Sequence, residues 1–130
     1  QTIAHLWVIW GDLSTWRKPY DDPDVGTVGD SVQFLVSTDS HNGFLFISWT
    51  VNGSTILTFD GTNIITAPVY NERINFDITT GSLELKNLTL HDSGTYQLQI
   101  VAAGEPQVQE VILNVLGELQ HKLNNIKFLK

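Results

Sequence analysis

Cysteine is absent from the chain. With no thiolate available, a metal site would need histidines and carboxylates alone. The four histidines, His5, His41, His91 and His121, are not paired at metal-ligand spacing. The same absence leaves the redox compartment open, since it has to be argued from other features. Basic residues are scarce: seven Lys and Arg stand against fourteen Asp and Glu, for a net charge of −7. The nearest approach to a basic cluster is Lys122, Lys127 and Lys130, so a nucleic-acid backbone finds no positive stripe to bind. No apolar run approaches the roughly 18–20 residues of a membrane-spanning helix. Charged residues make up only 16% of the chain and hydrophobic ones 42%, which argues against a disordered chain. At 130 residues there is room for one domain with a real core.

What the chain does have is dense punctuation around short β-branched and aromatic runs, the pattern of an all-β protein. The runs 31–37, 44–51, 54–59, 73–78, 82–87, 95–102 and 107–115 read as strands. Asn52-Gly53 is the strongest hairpin signal, joining the second run to the third. Alternation sorts the side chains into faces. Val32, Phe34 and Val36 share one, as do Ile74, Phe76 and Ile78. Leu83 and Leu85 share another, with Leu88 following. Tyr96, Leu98 and Ile100, and then Val111, Leu113 and Val115, complete the set. Strands that are greasy on one side only must pack sheet on sheet, so a β-sandwich follows.

Two segments fall outside this pattern. Residues 1–24 hold an apolar and aromatic run at 3–10 and then a polar stretch with Pro19 and Pro23. The run lacks the basic start and small-residue exit of a signal peptide, and the expectation is an extended segment packing on a sheet edge. In residues 117–130, Leu119, Leu123 and Ile126 switch to helical spacing, with an acid first and lysines last. This segment reads as a linker or a helical tail. The domain proper is expected to span 25–116.

Leu83-x-Leu85-x-x-Leu88 followed by Asp92-Ser93-Gly94-x-Tyr96 resembles the E strand, E–F turn and F strand of an immunoglobulin domain. Gly29-Asp30-Ser31-Val32 resembles the entry to strand B, and Trp49 stands where such domains keep the core tryptophan of strand C. Together these motifs resemble a V-set domain over roughly residues 25–116. The resemblance implies that Tyr96 forms the tyrosine corner and that Arg73 and Asp92 form the ion pair at the base of the fold. It also implies that Val36 and Leu98 occupy the positions of the usual inter-sheet cysteines. Loss of that bridge, which would close a loop of about 60 residues, removes roughly 4 kcal/mol of loop-closure stabilisation on the chain-entropy model. Apolar replacements packing against Trp49 recover part of it.

A bridge-free V-type domain with valine and leucine at those positions is similar to two subgroups. These are the N-terminal domains of the carcinoembryonic antigen-related adhesion molecules and of the signalling lymphocyte activation molecule family. Antigen-receptor variable domains normally keep the cysteines and begin strand G with Phe-Gly-x-Gly or Trp-Gly-x-Gly, and this chain has neither. The resemblance implies a cell-surface adhesion or immune-recognition domain, extracellular or secreted. It would be held to a membrane only through a segment outside this chain. Gln1 is compatible with a mature N-terminus. An intracellular mechanical immunoglobulin module without a disulfide is the competing structural reading, and an antigen-receptor variable domain ranks below both.

Sequons at Asn52-Gly53-Ser54 and Asn87-Leu88-Thr89 agree with an extracellular chain. Asn87 is the better of the two candidate glycosylation sites, because the tight hairpin turn hinders Asn52 and because the resembling subgroups often carry a glycan at the E–F turn. Candidate chemistry is thin. His91-Asp92-Ser93 holds triad residue types, but neighbours in an extended turn point apart and Asp92 is claimed by Arg73. Asp21-Asp22-Pro23-Asp24 lacks the regular spacing of a cation loop. Gly26-Thr27-Val28-Gly29 precedes a strand, not the helix a phosphate loop needs. No enzyme activity, cofactor, metal or small-molecule substrate is expected.

In the resembling domains, binding takes place on the outer face of the G-F-C-C′ sheet. Alternation places Phe46, Ser48 and Thr50 outward on strand C, Gln97, Gln99 and Val101 on strand F, and Val108, Glu110 and Ile112 on strand G. An apolar patch with a polar surround and little charge suits a protein interface. The partner would be a second copy, as a weak homodimer, or a related immunoglobulin receptor.

Overall fold

The computed structural model describes residues 4–10, 25–38, 46–101 and 106–117. The expected tail at 118–130, the acidic turn at 21–24, His41 and His121 lie outside the described residues. Ten strands run in chain order: β1 (Ala4–Trp10), β2 (Val25–Thr27), β3 (Val32–Thr38), β4 (Phe46–Val51), β5 (Ser54–Phe59), β6 (Ile64–Thr66), β7 (Ile74–Phe76), β8 (Leu83–Leu85), β9 (Gly94–Val101) and β10 (Gln107–Leu116). They form a four-stranded sheet, β1-β3-β8-β7, and a six-stranded sheet, β2-β10-β9-β4-β5-β6. All pairings are antiparallel except β10 with β2.

Alternation predicts the core well. Val32, Phe34 and Val36 from β3 meet Leu83, Leu85 and Leu88 within the first sheet's inner layer. Ile47, Trp49 and Val51 from β4, Tyr96, Leu98 and Ile100 from β9, and Leu113 and Val115 from β10 line the other. Each large apolar side chain buried this way contributes about 1.5–3 kcal/mol. The Phe34 ring lies 5.3 Å from Trp49 and 5.0 Å from Tyr96, centroid to centroid, tying the two sheets through aromatic contact. The Trp49 indole donates to the Gly81 carbonyl at 3.0 Å, so the one polar atom of that ring is satisfied in the interior. Val36 and Leu98 are both buried in this cluster, where a bridge would otherwise stand.

The Asn52-Gly53 turn is built as its sequence requires. Both residues have positive φ (49° and 83°), the type I′ geometry that matches strand twist. A register shift follows, with Trp49 opposite Leu57 but Thr50 opposite Thr55. The extra residue of this bulge lets neighbouring Ile56 and Leu57 both turn inward, at 0% and 1% exposure.

The base of the sandwich is polar. The Arg73 guanidinium forms an ion pair with Asp92, Nη1 reaching Oδ1 at 3.2 Å, and it also donates to the main-chain carbonyls of Lys86 and Asn87. Asp92 Oδ2 in addition accepts the Thr89 N–H at 2.7 Å and caps the short 3-10 turn Leu90–Asp92. The Tyr96 hydroxyl donates to the Asp92 carbonyl at 2.6 Å. Burial pushes the Tyr96 phenol well above its ordinary range, and the charge of Asp92 adds to that.

One expected face is corrected. Ile74 and Phe76 pack against the core, but Ile78 does not continue their strand. β7 ends at Phe76 because Asp77 Oδ1 accepts both the N–H and the hydroxyl of Thr79, which folds the chain into a turn. Ile78 is left 52% exposed. Two strands, β2 and β6, were not read as such from the sequence, whereas β1 is the extended segment expected on a sheet edge. It lies along the free side of β3, with Trp7 opposite Leu35.

Candidate functional site: the outer face of the six-stranded sheet

Registers across the six-stranded sheet assemble its outer face row by row. One row runs Val108, Gln99, Ser48, Thr58, Ile65 across β10, β9, β4, β5 and β6. The next holds Glu110, Gln97, Thr50 and Thr55, and a third pairs Ile112 with Thr95. Phe46 and Val101 sit opposite each other at the far margin. All nine residues expected on this face stand on the strands that form it, with the register bringing them together. Phe46 and Val101 are half-buried, whereas Val108 and Ile112 are 54% and 60% exposed.

The face therefore reverses the expected apolar patch with a polar surround: the central strands β9, β4 and β5 present glutamines, serine and threonines, and the exposed β-branched residues stand on the flanking strands β10 and β6. Its charge is Glu110, whose carboxylate accepts a hydrogen bond from Gln97 Nε2 at 3.1 Å. The basic side chains among the described residues, Arg73 and Lys86, belong to the other sheet's end. Thr58 and Ile65 were missed from the sequence. Their signal was the β-branched pair Ile64-Ile65 just after the Asp60-Gly61 turn, a run of three residues that is short even for an edge strand. The turn is held by the Asp60 carboxylate, which accepts the N–H groups of Asn63 and Thr62; those bonds lower its pKa.

The triad residue types near the base are committed elsewhere. Asp92 is held by Arg73 and Thr89, and the Ser93 hydroxyl exchanges hydrogen bonds with the main chain of Val115. Among the described residues no cluster of His, Asp and Glu could hold a metal ion, and no helix is long and apolar enough to cross a membrane. The two sequon asparagines both have left-handed backbones, φ 49° at Asn52 and 52° at Asn87, and both are exposed.

A sandwich of these two sheets, with the tryptophan on β4, the tyrosine corner on β9 and the basal Arg–Asp pair, is a V-set immunoglobulin domain, here without the inter-sheet disulfide. No family model matches the chain. It is similar to SLAM family member 5 of Mus musculus, with 29% identity over 116 residues, covering 82% of this chain and 35% of that protein. It is also similar to SLAM family member 7 of Homo sapiens, with 32% identity over 100 residues, covering 73% of this chain and 30% of that protein. The chain thus spans about a third of the curated relatives it matches. Among solved structures, murine CEACAM1b superposes with a TM-score of 0.59 at 20% identity, covering 73% of this chain and 51% of that one. Both subgroups that the bridge-free core resembles are thus represented among its relatives and fold neighbours.

Proposed function

We propose that this domain is the recognition unit of a cell-surface adhesion or immune receptor, exposed outside the cell, and that it binds a protein partner through the outer face of the six-stranded sheet. The observation that carries this reading is the composition of that face. Val108, Ile112 and Ile65 stand exposed around a neutral centre, and an exposed isoleucine at 60% gives the folded monomer little. The similarity to SLAM family members supports a receptor over an intracellular spacer. A face with so little charge also presents few like-charge contacts to a second copy of itself, so two-fold pairing is open to it as well as pairing with a related receptor. The test is analytical ultracentrifugation of the chain and of Ile112→Arg, with both also screened against a panel of cell-surface immunoglobulin receptors. The reading expects one binding partner in that set, whether self or other, and at least tenfold weaker binding by the variant. Binding of equal strength by both proteins would contradict it.

A further inference from the structure

The two sequons are not equivalent once folded. Asn52 follows β4, which ends at Val51, and begins the β4–β5 turn. Its main-chain N–H donates to the Thr95 carbonyl at 2.9 Å, and its side-chain Oδ1 accepts the Thr95 N–H at 3.0 Å. One asparagine thereby imitates a further residue pair of the β4–β9 ladder beyond Val51 and Tyr96. Its carboxamide lies flat on Gly94, where a Cβ would stand 2.5 Å from Nδ2, 2.7 Å from Oδ1 and 2.9 Å from Cγ. A side chain at 94 would have to push this amide aside and so break its bond to Thr95.

We propose that Asn52 is a structural latch whose bonds to Thr95 are incompatible with a glycan, so that the folded, secreted protein carries its glycan on Asn87 alone. The chemistry of the N-glycosidic bond supplies the reason. Glycosylation turns Nδ2 into a secondary amide, which strongly prefers the substituent trans to Cβ and hence on the same side as Oδ1. At Asn52 that side faces β9 at Gly94 and Thr95. The first sugar would have to displace the strand or break the Oδ1 bond to Thr95. At Asn87 the residue is exposed, and its contact with Arg73 runs through the main-chain carbonyl, which a glycan leaves untouched. The arrangement bears on the interface too. Asn52 lies two residues from Thr50, so a bare Asn52 leaves the margin of the outer face free of sugar, whereas Asn87 follows β8 in the opposite sheet.

The inference depends only on passage through a secretory pathway. Fusing the chain behind a leader peptide in human cells supplies this whatever its native address, so failure here is distinct from failure of the adhesion reading. Secreted, folded protein is treated with peptide N-glycosidase in heavy-oxygen water, and the deamidated sites are mapped by mass spectrometry. Label is expected at Asn87 and in less than a tenth of molecules at Asn52. Ser54→Ala, which destroys the Asn52 sequon without touching the latch, should leave the glycoform pattern and melting temperature unchanged. Asn87→Gln should secrete without glycan. Asn52→Ala should lower the melting temperature, while Asn52→Asp, which keeps the acceptor oxygen, should retain most of it. Occupied Asn52 in the folded secreted fraction, an unoccupied Asn87, or equal melting of Asn52→Ala and wild type would each overturn the proposal.

Discussion

The same strands carry two faces of opposite character. On β9 the inward residues Tyr96, Leu98 and Ile100 are 0–3% exposed, while Gln97 and Gln99 alternate with them on the outer side. On β10 Leu113 and Val115 are buried, yet Val108 and Ile112 on the other side are as apolar and more than half exposed. Inside, hydrophobicity is explained by the fold: with no bridge between positions 36 and 98, packing around Trp49 and the basal ion pair must hold the sheets together. Outside, the fold does not explain it. The exposed β-branched residues of the outer face, unlike their inward neighbours, bury little in the folded domain, and under the proposed function their use lies in contact with a partner.

The largest effect should come from the inner face. Trp49→Ala removes the central ring and its bond to Gly81, and should cost about 3–5 kcal/mol, a large part of an ordinary domain's stability. A urea titration would register this as a lower midpoint, or as loss of the cooperative transition. Asp92→Ala comes next. It leaves Arg73 without its carboxylate and the 3-10 turn without its cap, but Arg73 is 25% exposed and can recover some hydration. The expected loss is therefore about 2 kcal/mol, below the roughly 3–5 kcal/mol seen for fully buried pairs.

The pH profile should give a gentler version of the same contrast. Because the folded-state pKa of Tyr96 is raised, its contribution is fully present below the ordinary phenol value of 10.0 and is lost as pH rises beyond it. Thermal melts between pH 9 and 11 should show declining stability, and Tyr96→Phe should flatten that decline. The carboxylates of Asp77 and Asp60 are held low by hydrogen bonds, from Thr79 and from the Asn63 and Thr62 amides respectively. Their contribution is present above the ordinary value of 3.8 and lost as pH falls below it; both groups are exposed, so the acid limb should be shallow.

The inner face was legible because period-two alternation is a local property, and Val32-x-Phe34-x-Val36 or Tyr96-x-Leu98-x-Ile100 states it within five residues. The outer face on β4, β9 and β10 followed by subtraction. What stayed hidden was set by contacts distant in sequence. β6 is a strand because it pairs with β5 across the Asp60 turn, and three residues carry too little pattern to announce it. Ile78 kept the alternation of Ile74 and Phe76 but was removed from it by the side chain of Asp77. Asn52 read as a hairpin residue and candidate sequon. Its bond to Thr95, 43 positions away, left as its trace in the sequence a glycine at 94. Trp7, in a run with no alternation, could be placed near a sheet edge but not in register with Leu35.

The outer-face substitution is the smallest perturbation of structure and the sharpest test of the account. Ile112→Arg should change folding stability by no more than about 0.5 kcal/mol, as surface changes usually do. The decisive measurement is the association constant of Ile112→Arg, for the chain with itself and with any receptor it binds, set beside its urea midpoint in the same buffer. An unchanged midpoint with association at least tenfold weaker is expected. A fully stable variant that associates as tightly as the parent would contradict the claim that this face is where the domain meets its partner.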